Sequence, residues 1–155
     1  MKGDLQVIMD DQPWYQNGLH FHCRTCGLCC KGGRGNVFLS DIEIEELAQH
    51  LNISNETFRE EYTRTNRNGE LQLKEKRNKD CILFKRSTGC SVYEHRPLQC
   101  RTYPFWNANL YSQESWQGES RKCPGIDAGP LHPAAKIRII AKNDGIEMYV
   151  KKRRT

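Results

Sequence analysis

The chain has 155 residues and a mass of 18.1 kDa, which predicts a single domain over residues 1–155. Hydrophobic residues make up 37% of it and the mean hydropathy is −0.80, so we expect a thin hydrophobic core. No apolar run approaches the roughly 18 residues that a membrane span requires, and the first residues lack a signal-peptide pattern. We therefore expect a cytoplasmic protein with no membrane partner.

The formal charge of +5 is weak evidence for a nucleic-acid partner. If the 8 cysteines bound two zinc ions, the thiolates would contribute −8 and the ions +4, which lowers the net charge to +1. Four thiolates on one centre of charge +2 would lower it to +3. The basic run Lys151–Arg154 is expected to be a solvated tail. A nucleic-acid-associated zinc-binding accessory factor is kept as the alternative function, and an unidentified protein partner stays open.

Two helices are predicted in the first half of the chain. Ser40 and Glu43 form a capping-box pattern, and the apolar stripe that follows predicts a helix over 41–51, which Asn52 can end. A second helix is predicted at about 55–64, where aromatic residues recur four positions apart.

A short antiparallel sheet is predicted next. Residues 66–69 form a turn signal, and Leu71–Lys74 alternates like a strand that is expected to pair with Cys81–Phe84. A turn at Thr88–Gly89 then leads into Cys90–Tyr93. The middle of the chain is thus expected to be irregular and rich in short strands.

The last predicted helix begins at Pro133 and ends near Asp144–Gly145, and a short strand is expected over Ile146–Val150. The fold class is therefore α+β. We expect a small irregular metal-stapled domain with two helices in its N-terminal half, a short antiparallel sheet and a C-terminal helix. Its cysteine-cluster core spans 21–125, and 130–155 form the C-terminal helix and basic tail.

The densest cysteine motif has the spacing C-x2-C-x2-C-C and comprises Cys23, Cys26, Cys29 and Cys30. Two-residue spacers let a tight turn aim neighbouring sulfurs at one point, and Gly27 permits the backbone angle that such a turn needs. Cysteines clustered in a reducing compartment are more often metal ligands or redox groups than disulfides. The motif therefore predicts a metal site.

Four further cysteines complete the candidate ligand set: Cys81, Cys90, Cys100 and Cys123. Zn²⁺ and a [4Fe–4S] cluster each take four thiolates, so eight suffice for two centres, or for one centre with spare cysteines. Adjacent residues of an extended backbone point to opposite sides, which favours different centres for Cys29 and Cys30. The first three cysteines together with Cys123-Pro124 match a ferredoxin-type arrangement. The spacing leaves the choice between zinc and iron–sulfur open.

Residues 89–105 form a second dense block. Arg96 and Arg101 flank cysteines there, and a cation beside a thiol favours the ionised sulfur. His22 and His95 adjoin cysteines and are alternative ligands for a mixed site. No Ser/His/Asp pattern stands out, and a site filled by four thiolates leaves no position open for water, so we do not expect a hydrolase.

The run Cys23–Cys30, Cys81 and the block Gly89–Pro104, in this order and spacing, resemble the YkgJ-type cysteine-cluster family, the CxxCxxCC zinc- or iron-chelating domain. The resemblance covers about residues 21–125. It implies a metal site built from the eight cysteines and a metal-binding function, structural or redox. The family also resembles the cysteine-rich part of flagellin lysine-N-methylases, which implies a methyltransferase role. This chain has no glycine-rich strand–turn–helix motif for a nucleotide-like cofactor.

Overall fold

The computed structural model describes residues 12–33, 35–146 and 148–149. The α-helices are α1 (Asp41–Leu51), α2 (Asn55–Tyr62), α3 (Leu98–Thr102), α4 (Asn107–Leu110), α5 (Gln113–Ser120) and α6 (Ala134–Lys142). The strands are β1 (Leu19–Phe21), β2 (Thr63–Thr65), β3 (Leu71–Leu73), β4 (Phe84–Lys85), β5 (Gly89–Cys90) and β6 (Ile126–His132). Helices and short antiparallel strands occur together, which confirms the α+β class.

The strands form separate antiparallel pairs rather than one sheet. Within the described residues β1 pairs with β6, β2 with β3, and β4 with β5. The β1–β6 pair joins the two ends of the described chain, whereas the other two pairs are local hairpins. Sheets of two strands bury little area, so helices and loops must cover them.

Helix α1 has both of the caps that its sequence predicts. The Ser40 hydroxyl accepts from the Glu43 amide at 3.3 Å, and the Glu43 carboxylate accepts from the Ser40 amide at 2.8 Å. Asn52 ends the helix in the left-handed conformation, with φ of 59°. Both bounds of the predicted helix 41–51 are therefore confirmed.

The predicted partner of the strand at Leu71–Lys74 is wrong. The strand itself is present as β3, but it pairs with β2, because the chain leaves helix α2 at Tyr62 and the turn at residues 66–69 folds it back. The expected partner, Cys81–Phe84, meets only the end of this segment, through a bridge between Cys81 and Glu75 and a hydrogen bond of 3.0 Å from the Ile82 amide to the Lys74 carbonyl oxygen. The predicted helix 55–64 includes two of the three residues of the true partner strand, Thr63 and Arg64.

The C-terminal strand predicted over Ile146–Val150 is also wrong where the structure describes it. Helix α6 ends before Asp144–Gly145 as expected, but Met148 and Tyr149 are helical. The Tyr149 ring stacks on Phe38 with centroids 4.4 Å apart, so packing replaces strand pairing. Glu147, Val150 and the basic run Lys151–Arg154 lie outside the described residues.

Two apolar clusters support the fold. The first packs α1 and α2 against the two hairpins and consists of Leu39, Ile44, Leu47, Ala48, Phe58, Leu73, Leu83 and Val92. The second joins β1, β6 and the later helices and consists of Leu19, Phe105, Leu110, Trp116, Ile126, Ile137 and Ala141. Cys81 and Cys90 border the first cluster, and Cys123 borders the second. Among the described helices, none combines the length and apolarity needed to cross a membrane.

Candidate metal centre

The cysteine-rich loop, residues 23–30, turns sharply at its centre. Gly27 adopts a left-handed φ of 73°, and the following residues, Leu28–Cys30, form one turn of 3-10 helix. The sulfur atoms of Cys29 and Cys30 consequently lie 3.9 Å apart. The expectation of an extended backbone at these two cysteines is wrong. The argument that placed them in different metal centres depended on that backbone and no longer applies.

The hairpin of β4 and β5 brings two later cysteines to this loop. The Cys81 amide donates to the Cys30 carbonyl oxygen at 2.7 Å, and the Phe84 amide donates to the Cys81 carbonyl oxygen at 2.9 Å. Cys90 lies opposite Phe84 in the hairpin register. Residues from three separate parts of the sequence therefore meet around the first apolar cluster.

Five cysteines are close enough to influence one another's ionisation, and we call them the sulfur cluster: Cys29, Cys30, Cys81, Cys90 and Cys100. The Cys30 sulfur lies 3.9 Å from the Cys29 sulfur, where either thiol can be the donor, and it also contacts the Cys90 sulfur. Hydrogen bonding with Cys30 lowers the pKa of Cys29 to about 7 and that of Cys90 to about 6, and it raises the pKa of Cys30. Two members of the cluster are thus disposed to be thiolates near neutral pH.

Burial and a nearby cation act on the cluster in opposite directions. Burial raises the pKa values of Cys81 and Cys100. The Arg96 guanidinium favours the thiolates of Cys29 and Cys90, although the Cys30 contact is the larger cause there. Arg96 is held by a hydrogen bond of 2.9 Å from its Nε to the Tyr93 carbonyl oxygen. The direction of the Arg96 effect is the one that the sequence predicts.

The remaining three cysteines lie outside the sulfur cluster. Cys23 contacts the Tyr93 hydroxyl, and this contact raises the pKa of Tyr93. Cys123 lies beside Tyr103, whose pKa is raised chiefly by burial. Cys26 is exposed. Because the β1–β6 ladder continues through a hydrogen bond between residues 22 and 125, Cys23 and Cys123 reach the same end of this ladder.

The two alternative histidine ligands, His95 and His22, contact residues outside the sulfur cluster. The His95 ring packs on His50 with centroids 4.1 Å apart. Both rings and Arg101 line a polar surface cleft of about 360 Å³ together with Glu46, Gln49, Glu94 and Arg96. His22 continues the ladder of β1 through its backbone amide. Arg101 therefore faces this cleft.

The sulfur cluster must rearrange before it can hold a metal ion. Within the described residues, no group of three or more His, Cys, Asp or Glu side chains is arranged so that it could hold one. A cavity of about 30 Å³ nevertheless borders Cys29, Cys30 and Cys81, which is room for about one water-sized sphere. Thiolates are ligands that zinc and iron both accept, so the donor set fits either metal.

Sequence reasoning missed two residues that shape the site. Lys76 donates through its ammonium group to the Phe84 carbonyl oxygen, and its charge favours the thiolate of Cys81. Phe84 is 3% exposed and lies beneath the cysteine-rich loop. Nothing in the spacing marks either residue, because their importance arises only when the hairpin folds against the loop.

The chain is similar in sequence to an archaeal protein. A protein of Methanocaldococcus jannaschii that bears the name "Uncharacterized protein MJ0661" is 31% identical over 91 residues. That match covers 59% of this chain and 48% of the archaeal protein, so the matched part spans about half of the relative's length. No solved structure matches the chain.

A family model described as "CxxCxxCC: Putative zinc- or iron-chelating domain" matches residues 22–124. The matched region contains every cysteine of the sulfur cluster and also Cys23, Cys26 and Cys123. The family expected from the cysteine spacing is confirmed, and this chain belongs to the CxxCxxCC family of zinc- or iron-chelating domains.

Proposed function

We propose that the sulfur cluster binds one zinc ion through the thiolates of Cys29, Cys30, Cys81 and Cys90. The observation that carries the proposal is the 3.9 Å separation between the Cys29 and Cys30 sulfurs. Four thiolates placed tetrahedrally about 2.3 Å from one zinc ion lie about 3.8 Å from each other. Two adjacent cysteines on one 3-10 turn therefore match one edge of such a tetrahedron.

The same distance favours a single ion over a [4Fe–4S] cluster. In the cluster each thiolate binds a different iron, which keeps the sulfurs further apart than two ligands of one ion. Cys90 contacts the Cys30 thiol directly, and Cys81 is tied to Cys30 through the backbone. These two residues supply the other ligands, and Cys100 on α3 lies behind them.

The proposed role of the ion is structural. Its four ligands come from the 3-10 turn, from Cys81 in the segment before the hairpin, and from strand β5. One ion therefore links three segments that are otherwise joined only by short ladders of hydrogen bonds. Metal affinity then contributes directly to folding, which suits a chain of mean hydropathy −0.80. Such a site requires reduced thiols, and we therefore propose a reducing compartment, the cytoplasm.

A second candidate is a redox function in which an iron–sulfur cluster takes the place of the zinc ion and uses Cys23, Cys26, Cys29 and Cys123. It is favoured by the ladder that brings Cys23 and Cys123 to the same end of β1 and β6. This arrangement would retain the ferredoxin-type pattern for an iron–sulfur cluster. It predicts a brown protein that bleaches on reduction, whereas the zinc proposal predicts a colourless one.

Purification without oxygen, followed by a visible spectrum and elemental analysis, tests these two functions together. The zinc proposal predicts one zinc per chain and no absorption from iron. Replacing zinc with Co²⁺ should give the spectrum of a tetrahedral site with four thiolate ligands, and this spectrum should be lost in Cys30→Ser and kept in Cys26→Ser. Iron with sulfide in the anaerobic protein would overturn the zinc proposal in favour of the redox one.

A further inference from the structure

Six cations lie on the three segments that meet at the buried Phe84, and we call them the basic face: Lys31, Lys76, Arg77, Lys79, Lys85 and Arg86. The Lys31 ammonium lies 5.2 Å from the centroid of the ring, and Lys76 donates to the Phe84 carbonyl oxygen. Lys85 and Arg86 follow the ring in the hairpin turn. The cations thus lie on two loops, residues 31–33 and 76–80, and on the hairpin turn at residues 85–88.

The second loop, residues 76–80, is attached to the first, residues 31–33, through backbone hydrogen bonds. The Gly33 amide donates to the Lys79 carbonyl oxygen at 2.7 Å, and the Lys79 amide donates to the Lys76 carbonyl oxygen at 2.9 Å. These bonds place Arg77 and Lys79 on a closed turn next to the chain that follows Lys31. The backbone positions that carry these cations are therefore fixed relative to one another.

The cations of this face form no ion pair with a carboxylate among the described residues, although Lys76 lies close enough to Cys81 to favour its thiolate. The ion pairs found among the described residues are Arg59–Asp41 and Lys122–Glu119, and neither involves the face. Asp80, the acid within the second loop, is 7% exposed and accepts hydrogen bonds from the Gly32 amide and the Asn78 side chain. Its charge is thus directed inward, while Arg77, Lys79, Lys85 and Arg86 are exposed.

We propose that the basic face binds the phosphate backbone of double-stranded nucleic acid. Lys76 is already bonded to a carbonyl, which leaves five cations for phosphates. Asn78 and Thr88 lie in the same two turns and are neutral donors of the kind that also contact phosphate oxygens. The recognition is independent of base sequence, since contacts to phosphate oxygens carry no sequence information.

A duplex fits the face better than a single strand does. Proteins that bind single strands stack the bases on exposed aromatic rings, which contribute much of the binding energy. Phe84, at which the three segments meet, is only 3% exposed and offers no such surface. A duplex needs no stacking, because its closely spaced phosphates bind cations by releasing counterions.

Binding of the full chain, with its metal content verified, to a fluorescent 20-base-pair duplex tests the proposal. We expect a dissociation constant of roughly 10⁻⁴ to 10⁻⁶ M at physiological salt. The slope of log K against log salt should lie at about −4.5 or be shallower, because five cations are available. In the variant R77A/K79A/R86A this slope should become about 2.7 smaller, and binding at 0.1 M salt should weaken about tenfold or more.

The matched control is R121A/K136A/K142A, which removes the same charge from exposed positions outside the face. A second control, K151A/K152A/R153A/R154A, removes the basic run at the end of the sequence. The proposal requires the face variant to lose more affinity than either control while its melting temperature and metal content stay unchanged. Equal losses in all variants, losses confined to the terminal variant, or tighter binding to single strands, polyglutamate or anionic vesicles would overturn it.

Discussion

A Cβ atom added to Gly27 would stand 2.4 Å from Cε2 of Phe84. Real Cβ atoms do not approach other carbons so closely, and the ring cannot withdraw because it is buried at 3% exposure. Gly27 also has a left-handed φ of 73°, which disfavours any side chain there. The contact therefore fixes how the cysteine-rich loop sits on the hairpin that carries Cys90.

Gly27→Ala should separate the loop from the hairpin and weaken metal binding. We expect a loss of about 2–5 kcal/mol in the free energy of unfolding, from left-handed strain together with overpacking. Gly32→Ala is the matched control, because its φ is 69° and its Cβ would meet nothing within 4 Å. It should cost about 1–2 kcal/mol from strain alone. Thermal unfolding and a zinc-competition titration measure both effects, and equal losses in the two variants would contradict this role of the contact.

Cys30→Ser should remove the ion and most of its contribution to stability. Loss of a structural metal costs about 4 kcal/mol or more, which corresponds to a fall of about 8–16 °C in Tm for a chain of this size. Removing zinc from the wild type with a chelator should lower its Tm to the value of the variant, and the chelator should then leave the variant unchanged. Cys26→Ser should keep one zinc per chain and a Tm close to that of the wild type.

How far the sequence could predict the fold depends on whether the signal was local. The capping box of Ser40 and Glu43 and the terminating Asn52 act within one helix, and both bounds of α1 were predicted correctly. The partner of β3 was predicted incorrectly, because Thr63–Thr65 continues the helical pattern of α2 and becomes a strand only by pairing across the turn. Pairing energy between distant residues leaves no trace in local periodicity.

The candidate site, like the fold, could be predicted only where the signal was local in the sequence. Cysteine spacing predicts a thiolate site and the family, and the family is confirmed. The grouping of Cys29 and Cys30 on one side could not be predicted, since it depends on the left-handed turn at Gly27 and the 3-10 helix after it. The effect of Lys76 on Cys81 likewise depends on a hairpin whose position the sequence does not specify.

The metal-free protein should contain a thiolate at Cys90 near neutral pH. Its pKa is about 6 because Cys30 donates to it, so the thiolate fraction rises steeply between pH 5 and 7. Cys30→Ala removes the donor, and the pKa of Cys90 should rise toward its ordinary value of 9.0. At pH 7 alkylation of Cys90 by iodoacetamide should then slow by roughly tenfold or more.

Mass spectrometry of the alkylated peptides across pH 5–9 measures this effect for each cysteine separately. Because the pKa values of Cys29, Cys30 and Cys90 are linked, the profiles belong to the group, and the shift should also be visible at Cys29. Cys26 supplies the internal control, since its profile should be the same in both proteins. A Cys90 profile that does not move in Cys30→Ala would refute the thiol contact.

Glu43→Ala should destabilise the fold without removing the ion. One carboxylate oxygen of Glu43 accepts from the Ser40 amide at 2.8 Å, and the other accepts from the Leu98 amide at 2.7 Å, which connects α1 to the start of α3. Two partly buried donors lose their acceptor in the variant, at about 1–3 kcal/mol each. We expect a fall of about 4–24 °C in Tm.

Glu45→Ala is the matched control, because it removes the same charge from an exposed position on the same helix. Its Tm should stay within about 2 °C of the wild type, since exposed substitutions change stability by about 0.5 kcal/mol at most. Both variants should keep one zinc per chain, because α3 contributes Cys100 and not one of the four proposed ligands. Loss of zinc in Glu43→Ala at a temperature where the chain is still folded would show that Cys100 is itself a ligand.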